Sequence, residues 1–181
     1  FSKTNFNFDG WNTAADGSGD SFLGGTNYKF SSPMTLYAQW SAIPLTITFE
    51  NNLKPGVTYT KILPSATNTA LPANEFVPDG KVFRGWGTSD VTSTVVYTDK
   101  QVVNFTSNTT LWAVWLTEYT ITYAVNNASF GYINGENPQV LGSGQIGTEV
   151  VAIPNDGYYF SSWDAGSATA TRTDTATSTV T

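Results

Sequence analysis

Phe8-Asp9-Gly10-Trp11-Asn12-Thr13 returns 75 positions later as Phe83-Arg84-Gly85-Trp86-Gly87-Thr88. The same offset of 75 carries Thr35-Leu36-Tyr37-Ala38-Gln39-Trp40 onto Thr110-Leu111-Trp112-Ala113-Val114-Trp115, so nothing was gained or lost between the two phrases. A third, looser copy sets Asp156-Gly157-Tyr158-Tyr159-Phe160-Ser161-Ser162-Trp163 against Asp79-Gly80-Lys81-Val82-Phe83-Arg84-Gly85-Trp86. The openings match as well: Thr46-Ile47-Thr48-Phe49 and Thr120-Ile121-Thr122-Tyr123 stand 74 apart. A chain copied from one unit works by reach, or by presenting one surface several times.

The offset divides the chain. The counterpart of the strand at Leu45–Glu50 would precede Phe1, so residues 1–42 read as the C-terminal half of a first repeat, in a fragment of something longer. Residues 43–117 form a second repeat and 118–181 a third, divergent one. The joints Ile43-Pro44 and Leu116-Thr117-Glu118 are too short for flexible tethers, so adjacent repeats are expected to touch. Half a unit leaves strand edges and rings without partners. Three completions are open: packing on repeat two, strands borrowed from another copy by self-association, or strands on a separate polypeptide.

Strand signals dominate. Leu45–Phe49 and Tyr119–Tyr123 alternate apolar and polar residues; Thr94–Tyr97, Thr110–Trp115 and Glu149–Ile153 read as further strands. Gly, Pro, Asn and Asp punctuate between them. One helical turn is expected near Asp99–Phe105, with Asp99 as its N-cap. Strand alternation groups Leu111, Ala113 and Trp115, and equally Leu36, Ala38 and Trp40, on a core face, leaving Trp112, Val114 and Tyr37 partly exposed. Phe83, Trp86, Leu111 and Trp115 are expected to bury together, with Phe8, Trp11, Leu36 and Trp40 equivalent.

The pattern aromatic-x-Gly-Trp-x-Thr, a Gly/Asp turn, then Thr-Leu-Tyr-Ala-x-Trp resembles the Listeria–Bacteroides repeat, the B-repeat type of internalin B. The third copy, with Gly157–Trp163 and Ala170-Thr171-Arg172-Thr173-Asp174, resembles a divergent relative of it. The resemblance implies a mainly β chain of tandem small β-grasp-like repeat domains, in bacterial surface proteins where such units serve as stalks, spacers and occasional binding modules.

Composition narrows the function. Only 12% of the 181 residues are charged, about half the usual share, and the net charge is −6. No basic run exists, which argues against nucleic acid and anionic membranes. No apolar run approaches membrane-spanning length. The chain has no cysteine and no histidine, so thiolate chemistry, a histidine base and a disulfide framework are excluded. Its aspartates sit mostly in turns and no acid pair recurs, so no catalytic residue, cofactor or metal is expected. Asp16-Gly17-Ser18-Gly19-Asp20 starts like a calcium loop but lacks the closing glutamate, and its counterpart Val91–Val95 has no carboxylate; a hairpin turn is the plainer reading.

Two patterns fall outside the shared core. Tyr37, Trp112, Tyr158 and Tyr159 do not follow it, and are the candidates for ligand stacking, against packing within or between repeats as the ordinary alternative. Threonines 169, 171, 173, 175, 177, 179 and 181 would make one hydroxyl-and-methyl face if a single strand held them, as ice-binding proteins present; exposed strand faces favour threonine in any case. The reading that results is a non-catalytic tandem segment of a bacterial cell-surface or secreted protein, a stalk or spacer with weak adhesion to host or cell-surface glycan or protein. The alternative is a carbohydrate-binding module of a secreted enzyme or adhesin.

Overall fold

The computed structural model describes residues 1–91, 93–164 and 166–179. Among them there is no helix, and the chain is mainly β. It forms two compact units, Phe1–Asn74 with Gly85–Ala113, and Glu75–Arg84 with Val114–Thr181.

The first unit opens with a three-stranded antiparallel sheet in the order β2-β1-β3, from β1 (Phe6–Asn12), β2 (Ser21–Phe22) and β3 (Tyr37–Ala42). Residues three apart on a regular strand face opposite sides. The register of β1 on β3 shifts between Phe8, which pairs Trp40, and Gly10, which pairs Gln39. That bulge turns Phe8 and Trp11 to one side. Their rings lie 5.4 Å apart, Trp40 lies 5.3 Å from Phe8, and Phe1 caps Trp11 at 4.8 Å. Gly10 has φ +128, and a Cβ there would stand 2.6 Å from the Phe22 carbonyl oxygen, so only glycine suits the position.

The larger part of this unit is built on β4 (Pro44–Glu50), antiparallel to β5 (Thr58–Pro64) along its whole length and parallel to the start of β9 (Thr109–Ile121). The alternation read in the sequence is kept: Leu45, Ile47 and Phe49 are buried. Trp86, near the end of β7 (Lys81–Gly87), is fully buried and packs 4.8 Å from the Phe49 ring, which stacks on Tyr59 at 4.6 Å. Leu71, Val103, Leu111 and Ala113 complete the core, and β6 (Thr69–Ala70) pairs β8 (Val102–Val103) beside it. Gly85 repeats the part of Gly10: φ is +148, and a Cβ would lie 2.6 Å from Val95 Cγ1 and 2.7 Å from the Tyr97 oxygen.

A single residue, Ile43, separates β3 from β4. Its N–H donates to Asn5 O at 3.2 Å and to Ser65 Oγ at 3.0 Å, and its carbonyl accepts from the Ser65 N–H at 2.9 Å. The buried Ser65 hydroxyl also donates to Asn5 O. Residues 1–42 are thus hydrogen-bonded through the Asn5 carbonyl to Ile43 and Ser65 of the second repeat.

The second unit has its own core of Ile121, Tyr123, Val150 and Ala176, with Tyr119, Ile133, Leu141 and Trp163 packed around it. One sheet has the order β10-β12-β13, from β10 (Gly131–Asn134), β12 (Val150–Pro154) and β13 (Thr171–Arg172). β11 (Gln139–Gly142) pairs the end of β9, with Gln139 opposite Ile121.

The joint Leu116-Thr117-Glu118 is itself extended, inside the 13-residue strand β9. Several expectations are corrected. No helical turn forms near Asp99: its carboxylate instead accepts from the Asn74 N–H at 2.9 Å, and the chain enters β8. Thr94–Tyr97 is not a strand. The N–H groups of Val96 and Tyr97 both converge on the Trp86 oxygen, at 2.8 and 3.1 Å, so only the Trp86–Tyr97 bridge forms. Val114, expected on an outer face, is buried, whereas Phe83 and Trp115, paired at 5.3 Å, are only half-buried. The half-repeat side chains Phe8, Trp11, Leu36 and Trp40 are likewise half-buried.

The threonine row does not share one strand. Thr171 is in β13, Thr175 bridges Ile146, and Asp174 between them turns inward; Thr181 lies outside the described residues. In the loop at Asp16–Asp20, the buried Asn12 side chain donates to Gly17 O and Gly19 O at 3.1 and 3.0 Å and accepts from the Gly19 N–H at 3.0 Å. Asp16 accepts from the Ser18 hydroxyl and N–H, which hold its carboxyl below the usual range. The loop is a hairpin tied by its own side chains. Its counterpart at 91–95 includes Thr92, outside the described residues.

Trp86→Ala is expected to cost about 3–5 kcal/mol in urea denaturation. Gly85→Ala and Gly10→Ala should each cost more than Gly56→Ala, because Gly56 has φ +77 but nothing within 4 Å of an added Cβ. The Gly56 change should cost only the strain of the left-handed region, about 1–2 kcal/mol. Equal losses at all three glycines would refute the close-approach argument.

Candidate functional site

The third copy departs from the other two where it meets the shared phrase. Ser162 stands where Gly10 and Gly85 stand, and residues 158–163 form no strand. A tight turn closes β12 instead: Gly157 has φ +86, and the Tyr158 N–H donates to Asn155 O at 3.0 Å. The turn sets Tyr158 against Phe130, ring on ring at 4.7 Å with 30° between planes. Asn155 ties the same corner, its N–H donating to Phe130 O at 2.9 Å and its side chain to Ser129 O at 3.0 Å.

These rings line a cleft of about 770 Å³ within the second unit. Its aromatic wall contains Phe130, Tyr132, Tyr158, Tyr159, Phe160 and Trp163. Tyr159 is 85% exposed, Tyr132 55% and Tyr158 49%, which is unusual for rings that fold well in cores. The volume lies in the range of small-molecule sites.

The same cleft has a polar corner. Arg172 makes a two-point ion pair with Asp174, Nε to Oδ2 at 2.6 Å and Nη2 to Oδ1 at 2.8 Å. The Tyr123 hydroxyl donates to Asp174 Oδ2 at 3.0 Å, and the Arg172 guanidinium lies over the Trp163 ring, 5.7 Å from its centre. Trp163 is fixed by its ring N–H, which donates to Thr169 O at 3.1 Å. The Asn137 side chain braces Tyr123 like a neighbouring strand, accepting from its N–H at 2.9 Å and donating to its carbonyl at 2.7 Å. Arg172 beside it holds the Asp174 carboxyl below its ordinary value, and hydrogen bonding to Asp174 raises Arg172 in turn. Burial first, and then the Asp174 carboxylate, push the Tyr123 phenol up to about 12.

Of the four candidate stacking residues, the structure brings Tyr158 and Tyr159 into this cleft. Tyr37, 42% exposed on β3, and the half-buried Trp112 on β9 belong to the first unit and do not line it. Sequence reasoning missed Tyr132, Trp163 and the Arg172–Asp174 pair as members of one site. Two charges of opposite sign at i and i+2 share a face of an extended segment, and that was the available signal. Among the described residues no cluster of acids is arranged to hold a metal ion. Among the described residues, likewise, no helix is long and apolar enough to cross a membrane.

The raised Tyr123 value has a sign that can be measured. The phenol keeps its proton in the folded chain after the unfolded chain, near 10, has lost its own. Its contribution to stability is therefore fully present below about pH 10 and is lost as pH rises toward about 12. Tyr123→Phe should flatten the fall of stability across that window, followed by denaturant midpoints at each pH. An unchanged fall would show that Tyr123 is not the group responsible.

Residues 1–39 and 46–114 match the Listeria-Bacteroides repeat domain, and residues 119–181 match the divergent InlB B-repeat domain. A "Putative Gly-rich membrane protein" of Evansella cellulosilytica is 28% identical over 165 residues, covering 89% of this chain and 18% of that protein. A "Putative membrane protein" of the same organism is 51% identical over 41 residues, 22% of this chain and 6% of its own length. The chain thus spans less than a fifth of the curated relatives it matches. No solved structure matches it. With the glycine-tryptophan phrase copied at constant offset and the match running over most of its length, the chain belongs to the Listeria-Bacteroides repeat family, its third repeat a divergent one.

Proposed function

We propose that this chain is a non-catalytic spacer segment of a bacterial cell-surface or secreted protein, coupling repeats rigidly so that they extend and present other parts of that protein, with weak adhesion as a secondary property. The observation that carries the reading is the junction at Ile43. One residue joins two repeats, and the backbone and hydroxyl of Ser65 hold it to Asn5 by hydrogen bonds. A tether meant to swing would leave these groups to water. Membership of a repeat family and relatives bearing membrane-protein names support placement at the cell surface. The lack of histidine and cysteine supports the absence of catalysis.

Backbone NMR relaxation tests the coupling. Amides of β1 and β3 are expected to share one rotational correlation time with those of β4 and β5, and separate tumbling would overturn the spacer reading. Ser65→Ala should lower stability by about 1–3 kcal/mol, since it removes two hydrogen bonds of a buried hydroxyl, one to Asn5 O and one from the Ile43 N–H. The same substitution should raise the mobility of residues 1–42. A panel of glycan, ester and peptide substrates should show no turnover.

A further inference from the structure

We propose that the cleft of the divergent repeat binds a neutral carbohydrate chain, with Tyr159, Tyr158 and Tyr132 as stacking surfaces and the Arg172–Asp174 corner as the hydrogen-bonding end. A pyranose ring has an apolar face of C–H groups and an equator of hydroxyls. It needs a flat ring to lie on and charge-assisted donors and acceptors beside it. The cleft offers both. Three tyrosines stand about half exposed or more around it, and Tyr158 is held flat by its stack on Phe130. Exposed rings grouped around one concavity, rather than scattered singly, mark a binding surface.

The charges select the ligand class. Arg172 is the cleft's one cation among its lining residues; Asp164 and Asp174 line it as well. The Arg172 guanidinium already occupies the neighbourhood of the Trp163 face, where a cationic ligand would otherwise lie. With Asp174 offset by Arg172, Asp164 leaves the lining net negative, which disfavours an anionic ligand. The ion pair engages Arg172 through Nε and Nη2, while a guanidinium carries five N–H donors, so donors remain for ligand hydroxyls. The tyrosine hydroxyls can both donate and accept. A neutral, hydroxyl-rich ligand with flat faces satisfies all of these conditions together.

The test uses the whole chain, titrated calorimetrically with cellohexaose, xylohexaose, mannohexaose and N-acetylchitohexaose. An oligogalacturonate and a short Thr-Val peptide serve as the acidic and strand-adding comparators. At least one neutral hexasaccharide is expected to bind. Tyr159→Ala and Tyr132→Ala should each weaken it by roughly tenfold, the usual size of a lost aromatic stacking contact. Tyr37→Ala should leave it unchanged. Because Tyr159 and Tyr132 are exposed, both variants should keep the parent's circular dichroism and melting point, so a loss of binding reads out the site and not the fold. Three results would overturn the proposal: no binding by any neutral hexasaccharide at millimolar concentration, binding indifferent to both tyrosines, or preference for the oligogalacturonate or the peptide. None of them would disturb the relaxation experiment on which the spacer reading stands.

Discussion

Both full copies of the repeated phrase depend on one backbone constraint: a glycine at strongly positive φ directly before a tryptophan, with the opposing chain too near for any side chain. At Gly10 the obstruction is the carbonyl of Phe22, and at Gly85 it is Val95 and the carbonyl of Tyr97. In the first copy the glycine borders the bulge that lets residues three apart share a face. The aromatic-x-x-tryptophan spacing, which would split across an ordinary strand, there becomes one contiguous cluster of rings. In the second copy the tryptophan so placed is the largest fully buried side chain and sits against Phe49. In units this small, a single ring of that size is a large part of the core.

The third copy lacks the constraint, and its backbone takes another course. Ser162 takes the glycine's place, and the segment before Trp163 lies as an irregular stretch with its tyrosines outward. Trp163 still reaches the core, 5.9 Å from Tyr123, and is now steadied by hydrogen bonds of its own loop. The space beside the displaced segment is the cleft. Open cleft and closed ring cluster are therefore two outcomes of the same phrase, which differ in having serine or glycine at one backbone position.

Much of the fold was legible. The alternation at Leu45, Ile47 and Phe49 and the burial of Trp86 and Leu111 come directly from period and repetition. What failed was local reading where tertiary partners decide. Asp99 has the chemistry of a helix cap, yet its carboxylate is taken by the Asn74 amide, 25 residues away. Leu116-Thr117-Glu118 reads as a joint between two repeats, and its strand conformation was not legible because β11 supplies Glu118 with its partner Gly142. For the site, Tyr158 and Tyr159 were visible because they break the common pattern. Tyr37 and Trp112 break it too, but only the fold shows that they belong to the first unit and do not line the cleft. The Arg172–Asp174 fork depended on knowing that the segment is extended and that Tyr123 faces it.

The parallel pairing of β4 with β9 has a mechanical meaning. These are the first and last strands of the second repeat, matched from Ile47 with Thr109 to Glu50 with Trp112. Tension on a tandem chain enters such a unit at the start of one strand and leaves at the end of the other. Because the two run the same way, the pull slides them lengthwise, and the cross-strand bonds resist together. An antiparallel hairpin at the same place would peel open one bond at a time. The topology therefore suits a unit strung in series under traction, whatever hangs at either end.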